Sequence, residues 1–176
     1  VAPDPARRAG AGRLHTRIDR FTEIVGECTS WLALVIVVLM ATNVLVRYLL
    51  RTGSVWAQEL EWHLLVPLVL FGMSYALRHG EHVRVDIVYS KFSLRARLAV
   101  DLASALLAAA VSIAIIWLSI KYVHQAYVIG EGSPDPGGIP HRFLVKSLIP
   151  AGFALLLLQS IASAVACIER LREAGR

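Results

Sequence analysis

Four long stretches of this chain contain no Asp, Glu, Lys or Arg: residues 28–46, 62–77, 102–120 and 147–168. An α-helix needs about 20 apolar residues to cross the ~30 Å hydrocarbon core of a bilayer. The stretch 62–77 is the shortest, but Leu60 and the apolar stems of Glu61 and Arg78 extend its reach while their heads stay wet. Strands of a membrane barrel would alternate apolar and polar residues over about ten positions, and these runs do not. The pattern therefore predicts an all-α membrane protein with four transmembrane helices near 28–50, 57–77, 98–121 and 143–168. The membrane domain is expected over 28–169, between a basic tail at 1–27 and a short tail at 170–176.

Charge placement predicts orientation. Arg7, Arg8, Arg13, Arg17 and Arg20 precede the first run, Arg78, Arg84, Lys91, Arg95 and Arg97 lie between the second and third, and Arg170, Arg172 and Arg176 follow the fourth. The opposite side holds Arg47, Arg51, Lys121, Arg142 and Lys146, all near helix ends. By the positive-inside rule both termini and the middle loop are expected to be cytoplasmic. The same division accounts for the net charge of +5 without nucleic acid as a partner, since no basic stripe carries interleaved stacking residues. Trp56, Trp62, Trp117, Tyr48, Tyr122 and Tyr127 are placed at the outer interface, and Trp31, Tyr75 and Tyr89 at the inner one. The first run is longer than the core of a signal peptide and has no small-x-small site after Met40, so it is read as retained.

The middle loop opens with "RHGEHVRVD", residues 78–86. Its charges stop the second helix from sliding inward. Beyond them Val83, Val85, Ile87, Val88 and Phe92 interleave with Arg84, Asp86, Lys91 and Arg95, the pattern of an amphipathic segment lying against membrane lipid at headgroup level. Ser93 is the expected N-cap of the third helix.

Chemistry-bearing motifs are scarce. No Cys-x-x-Cys, His-Glu-x-x-His, phosphate-binding glycine loop or nucleophile elbow occurs, and Cys28 and Cys167 read as packing residues. No catalytic residue, metal or cofactor is expected. The competing reading is a four-helix haem b electron-transfer subunit, with His63 and His124 near the outer face as axial ligands. Asn43 is the most deeply placed strong polar side chain of the first helix and can hydrogen-bond a neighbouring helix. Arg47 and Arg51 are expected to pair with Glu59 and Glu61 across a short hairpin. Pro67 with Gly72, and Pro150 with Gly152, mark kinks or close packing.

Asn43-x-x-x-Arg47-Tyr48, Trp56-x-x-Glu59-Leu60, Gly72, Arg78-x-Gly80-x-His82-Val83-x-Val85-Asp86, Pro140, Lys146, Pro150-x-Gly152 and Leu158-Gln159 follow in order along the four runs. In this the chain resembles the small membrane subunit, of DctQ type, of tripartite ATP-independent periplasmic (TRAP) transporters. The resemblance implies a large permease subunit and a periplasmic substrate-binding protein as partners, in a bacterial inner membrane. It also implies uptake of a small organic anion, such as a dicarboxylate or sugar acid, driven by an ion gradient. Under it, Asn43, Arg47, Trp56, Glu59, Arg78, Asp86, Lys146 and Gln159 are the candidate assembly residues. Glu131 and Asp135, in the loop rich in proline and glycine before Arg142, are the candidate docking acids for the binding protein.

Overall fold

The computed structural model describes residues 13–80 and 92–173, and within them the chain is entirely helical apart from turns. The helices are α1 (Arg13–Leu50), α2 (Val55–His79), α3 (Leu94–Val128) and α4 (Phe143–Glu173). All four are long and apolar enough to cross a membrane. The charged middle loop from 81 to 91, with Asp86 and most of the expected amphipathic segment, lies outside the described residues.

The sequence places the helix ends through identifiable caps. The Ser54 hydroxyl accepts the Ala57 N–H at 3.3 Å and starts α2. At its other end Gly80 takes φ 71°, a left-handed conformation that costs glycine little, and its N–H donates to the carbonyls of Ala76 and Leu77. Ser93 caps α3 as its sequence position predicts, its hydroxyl accepting the Ala96 N–H at 3.3 Å. The first helix departs furthest from expectation, for it begins at Arg13, well before its apolar run. Charged residues there do not break a helix. They have good helix propensity, and the segment 14–27 contains no proline and only one glycine, Gly26.

Packing follows heptads. On α1, Thr22, Thr29 and Ile36 are buried and Asn43 is half-buried, seven residues apart, with half-buried Val25, Leu32, Leu39 and Val46 three positions further on. On α3 the buried residues are Leu98, Ala105, Ser112, Ser119 and Ala126, again seven apart. A seven-residue repeat keeps one narrow seam facing a neighbour, as in a left-handed coiled coil. Accordingly α1 packs on α2, and α3 packs on α4, as two antiparallel hairpins. The hairpins meet through α2 and α4, and α1 also touches α4 near the end that carries both chain termini. Charge placement leads that end to be expected on the inner side and the opposite one, with the loop 129–142, on the outer side, and the two ends carry those names below.

The interior is small and polar while the outside is large and apolar. Ser74, Ser112 and Ser160 are fully buried, whereas Trp117, Leu107 and Leu49 are 70%, 67% and 77% exposed. In lipid this is the expected order, because apolar side chains gain nothing by leaving the acyl chains and small residues let backbones approach. The hydroxyls of Thr29, Ser112 and Ser160 donate to the carbonyl four residues earlier, at 2.6, 2.7 and 2.7 Å, so their burial leaves no donor unmet. At Gly152 the hairpins approach closely: a Cβ there would lie 2.6 Å from the Leu70 Cβ. Pro67 and Pro150 both lie inside continuous helices.

Candidate functional site

Polar side chains collect at two levels. At the outer end Glu59, one turn into α2, is 4% exposed. Its carboxylate accepts hydrogen bonds from the Ser133 hydroxyl and, at 2.5 Å, from the Ile139 N–H, and the Arg142 guanidinium stands 3.6 Å away. All three donors come from the connection between α3 and α4, so one carboxylate on α2 holds down the loop of the other hairpin. Gly138 must lack a side chain for this to happen, since a Cβ would press on Ser133 and lie 2.6 Å from Glu59 Oε2.

Further contacts fasten the same loop. Lys146 Nζ bonds Glu131 at 2.5 Å and sits over the Tyr122 ring at 4.0 Å, joining loop, α3 and α4. The Arg142 N–H donates to the Glu131 carbonyl at 2.9 Å, and its guanidinium lies 5.2 Å from the Trp62 ring centre. Asp135 stays exposed, its N–H donating to Ser133 Oγ at 3.1 Å. The buried His63 places Nδ1 2.6 Å from the Glu59 carbonyl, while His124 is exposed on α3.

At the inner end Gln159, 3% exposed on α4, is the centre. Its carbonyl accepts the Thr22 hydroxyl at 2.9 Å and its amide donates to Asp19 Oδ1 at 3.1 Å, tying α4 to α1. Arg78 donates to the Asp19 carbonyl and pairs with Glu23, and His79 Nε2 lies 3.2 Å from the same carboxylate, tying α2 to α1. Gly26 lies directly against the Tyr75 ring.

Five of the expected assembly residues therefore take part in joining helices: Glu59 and Lys146 in the outer cluster, Arg78 and Gln159 in the inner one, and Asn43 between α1 and α2, donating to Glu61 at 3.1 Å. Trp56 is half exposed on the first turn of α2, and the exposed Arg47 lies 5.8 Å from the Tyr48 ring centre. Among the described residues no ion pair joins Arg47 or Arg51 to Glu59 or Glu61, which instead face the loop 129–142 and Asn43. Asp19, Thr22, Glu23, Ser133, Gly138 and Arg142 were not expected. The heptad from Thr22 to Asn43 is the signal that could have extended α1 and found the first three. The loop contacts carry no such periodicity.

Four helices long and apolar enough to cross a membrane, with large apolar side chains on their outer flanks, define a multi-pass membrane protein. The match of residues 36–170 to the DctQ component of tripartite ATP-independent periplasmic transporters makes it specific: the chain belongs to that family and is a TRAP transporter small permease subunit. It is 29% identical over 133 residues to the ectoine TRAP transporter small permease protein TeaB of Halomonas elongata, across 73% of this chain and 68% of TeaB. It is also 27% identical over 172 residues to the uncharacterized protein y4mM of Sinorhizobium fredii, across 92% of this chain but 30% of that protein. The family match supports the transporter-subunit reading over the haem b alternative.

Proposed function

We propose that this chain supports a large TRAP permease subunit in the bacterial inner membrane, with both termini and the middle loop cytoplasmic. The large subunit carries the substrate and coupling-ion sites, and a periplasmic binding protein delivers a small organic anion for uptake driven by an ion gradient. The single observation that best supports a scaffold role is where the buried polar groups go. The buried Glu59 and Gln159, and the half-buried Arg78, each fasten one helix or loop of this chain to another.

The outer loop suits a docking surface for the binding protein better as a fixed shape than as a flexible arm. Glu59 and Lys146 hold it, Glu131 is used in holding it, and Asp135 stands exposed at its tip. Of the two acids named from the sequence, Asp135 is thus the one free to meet a partner, together with Trp56 on the neighbouring helix start. The substrate class stays a small organic anion, with ectoine, named for the relative TeaB, added to the candidates.

The test is purification of the tagged protein from its native membrane in mild detergent, with mass spectrometry of what accompanies it. A longer polytopic permease is expected, and its yield should fall when Arg78→Ala is combined with Asp86→Ala while membrane insertion stays normal. Recovery of the chain alone, with crosslinking in intact membranes also finding no such permease, would overturn the reading.

A further inference from the structure

The apolar zones of the four helices are not level with one another. Contacts across the bundle fix the register: Gly26 of α1 lies against Tyr75 of α2, Leu70 of α2 against Gly152 of α4, and Lys146 of α4 over Tyr122 of α3. At the inner end Gln159 is level with Thr22 and Asp19, and so with Arg78, where α2 ends its uncharged run. On α4 the uncharged run continues to Ile168, about nine residues or ~14 Å further inward. On α1 it has already stopped at Cys28, beside the exposed Glu27, on the outer side of Thr22.

The outer end is displaced in the same sense. The run of α3 ends at Lys121 and that of α4 begins after Lys146, both inward of the level at which Glu59 and Arg142 meet. On α1 and α2 the uncharged runs reach further outward, to Val46 and Trp62. A membrane perpendicular to the bundle could hold, free of charge, at most the part of α4 between Lys146 and Gln159, and less where Glu27 of α1 intrudes. That part of α4 is about thirteen residues, or ~20 Å, against a hydrocarbon core of ~30 Å.

Two tryptophans make the offset visible. Trp31 on α1 and Trp117 on α3 are 68% and 70% exposed, and each stands within about a turn of the level of Gly152. Tryptophan favours the membrane interface. Yet Trp31 lies one turn from Glu27, at the inner end of its own uncharged run, and Trp117 lies one turn from Lys121, at the outer end of its run. Two residues at one height along the bundle are thus marked for opposite faces of the membrane.

We infer that the bundle sits obliquely in the bilayer, the α1–α2 hairpin moved toward the inner face and the α3–α4 hairpin toward the outer face, so that Trp31 and Trp117 lie near opposite lipid surfaces. The lean brings the inner cluster of Asp19, Glu23, Arg78 and His79 and the inner charged ends of α3 and α4 toward one headgroup layer, instead of leaving the cluster opposite the apolar middle of α4.

The test uses the full chain in its native complex, reconstituted in sealed vesicles of known orientation. Cys28→Ser with Cys167→Ser removes the native thiols, and Trp31→Cys or Trp117→Cys then carries a nitroxide label. A membrane-impermeant paramagnetic relaxation agent is placed on one side at a time. The label at 31 is expected to relax only with agent on the side of the chain termini, and the label at 117 only with agent on the side of the loop 129–142. Equal response of the two labels, from one side or from neither, overturns the inference and supports an upright bundle. If a tryptophan variant does not assemble, the native Cys28 and a Leu118→Cys variant give the same comparison, both positions being exposed, Cys28 about one turn from Trp31 and Leu118 next to Trp117.

Discussion

At the scale of single residues, this protein shows how one carboxylate can govern a long connection. Glu59 meets three donors from a loop more than seventy residues away in sequence, and Gly138 leaves the space that lets the carboxylate reach them. Glu59→Gln keeps the volume but removes the charge facing Arg142, and an amide nitrogen cannot accept from Ile139 or Ser133. Gly138→Ala puts a methyl group where the carboxylate stands. Both changes are expected to release the loop 129–142 without unfolding the helices. Faster proteolysis at 129–142, with helical content unchanged, is the readout; a loop as protected as in the parent would remove Glu59 from its role. Gln159 is the inner counterpart. Gln159→Leu deprives Thr22 and Asp19 of their partner and is expected to cost about 1 kcal/mol, in keeping with hydrogen bonds between membrane helices. Unfolding in a graded denaturing detergent mixture, parent against variant, measures it.

At the scale of elements, the helices associate through seams chosen for smallness. Beyond Leu98 the buried residues of α3 are small, Ala105, Ser112, Ser119 and Ala126, with Ile115, Ile116 and Val123 half-buried between them. Enlarging one of the small residues should separate α3 from α4. Ser112→Leu is expected to destabilise the α3–α4 hairpin by about 1–3 kcal/mol through overpacking, whereas Leu107→Ala, on the exposed side of the same helix, should cost much less. Equal losses for the two variants would show that burial in this seam does not control stability. The seven-residue repeat of these seams is present in the sequence but was not among the expectations drawn from it, because charge-free runs say nothing of which face packs. The true start of α1 was not legible from charge-free length alone, because the limit of an apolar run marks where lipid ends and not where a helix must end.

At the scale of the whole molecule, two hairpins are joined mainly along α2 and α4, with a close approach at Gly152 and Gln159 below it. Gly152→Leu drives a side chain into Leu70 and is expected to lower the thermal unfolding midpoint of the purified complex and weaken recovery of the large subunit. An unchanged midpoint would mean that α2 and α4 can part without consequence. The same junction sets the register between the hairpins, and through it the oblique seating inferred above.

What the sequence determined by itself is the set of elements: four apolar runs, their caps at Ser93 and Gly80, and the identity of most side chains that could not be left facing lipid. These are local properties, fixed by the hydrocarbon thickness, by backbone hydrogen bonding and by the cost of a lone polar group in an apolar medium. Only the tertiary structure decided which polar groups meet. Glu59 could have met Arg47 or Arg51 across a short hairpin; it meets Ser133, Ile139 and Arg142 because α2 lies beside α4 and the two run in the same direction. Register between hairpins is likewise not a property of any one helix. It depends on where small residues such as Gly152 allow two backbones to come closest, and that is settled only when both are present.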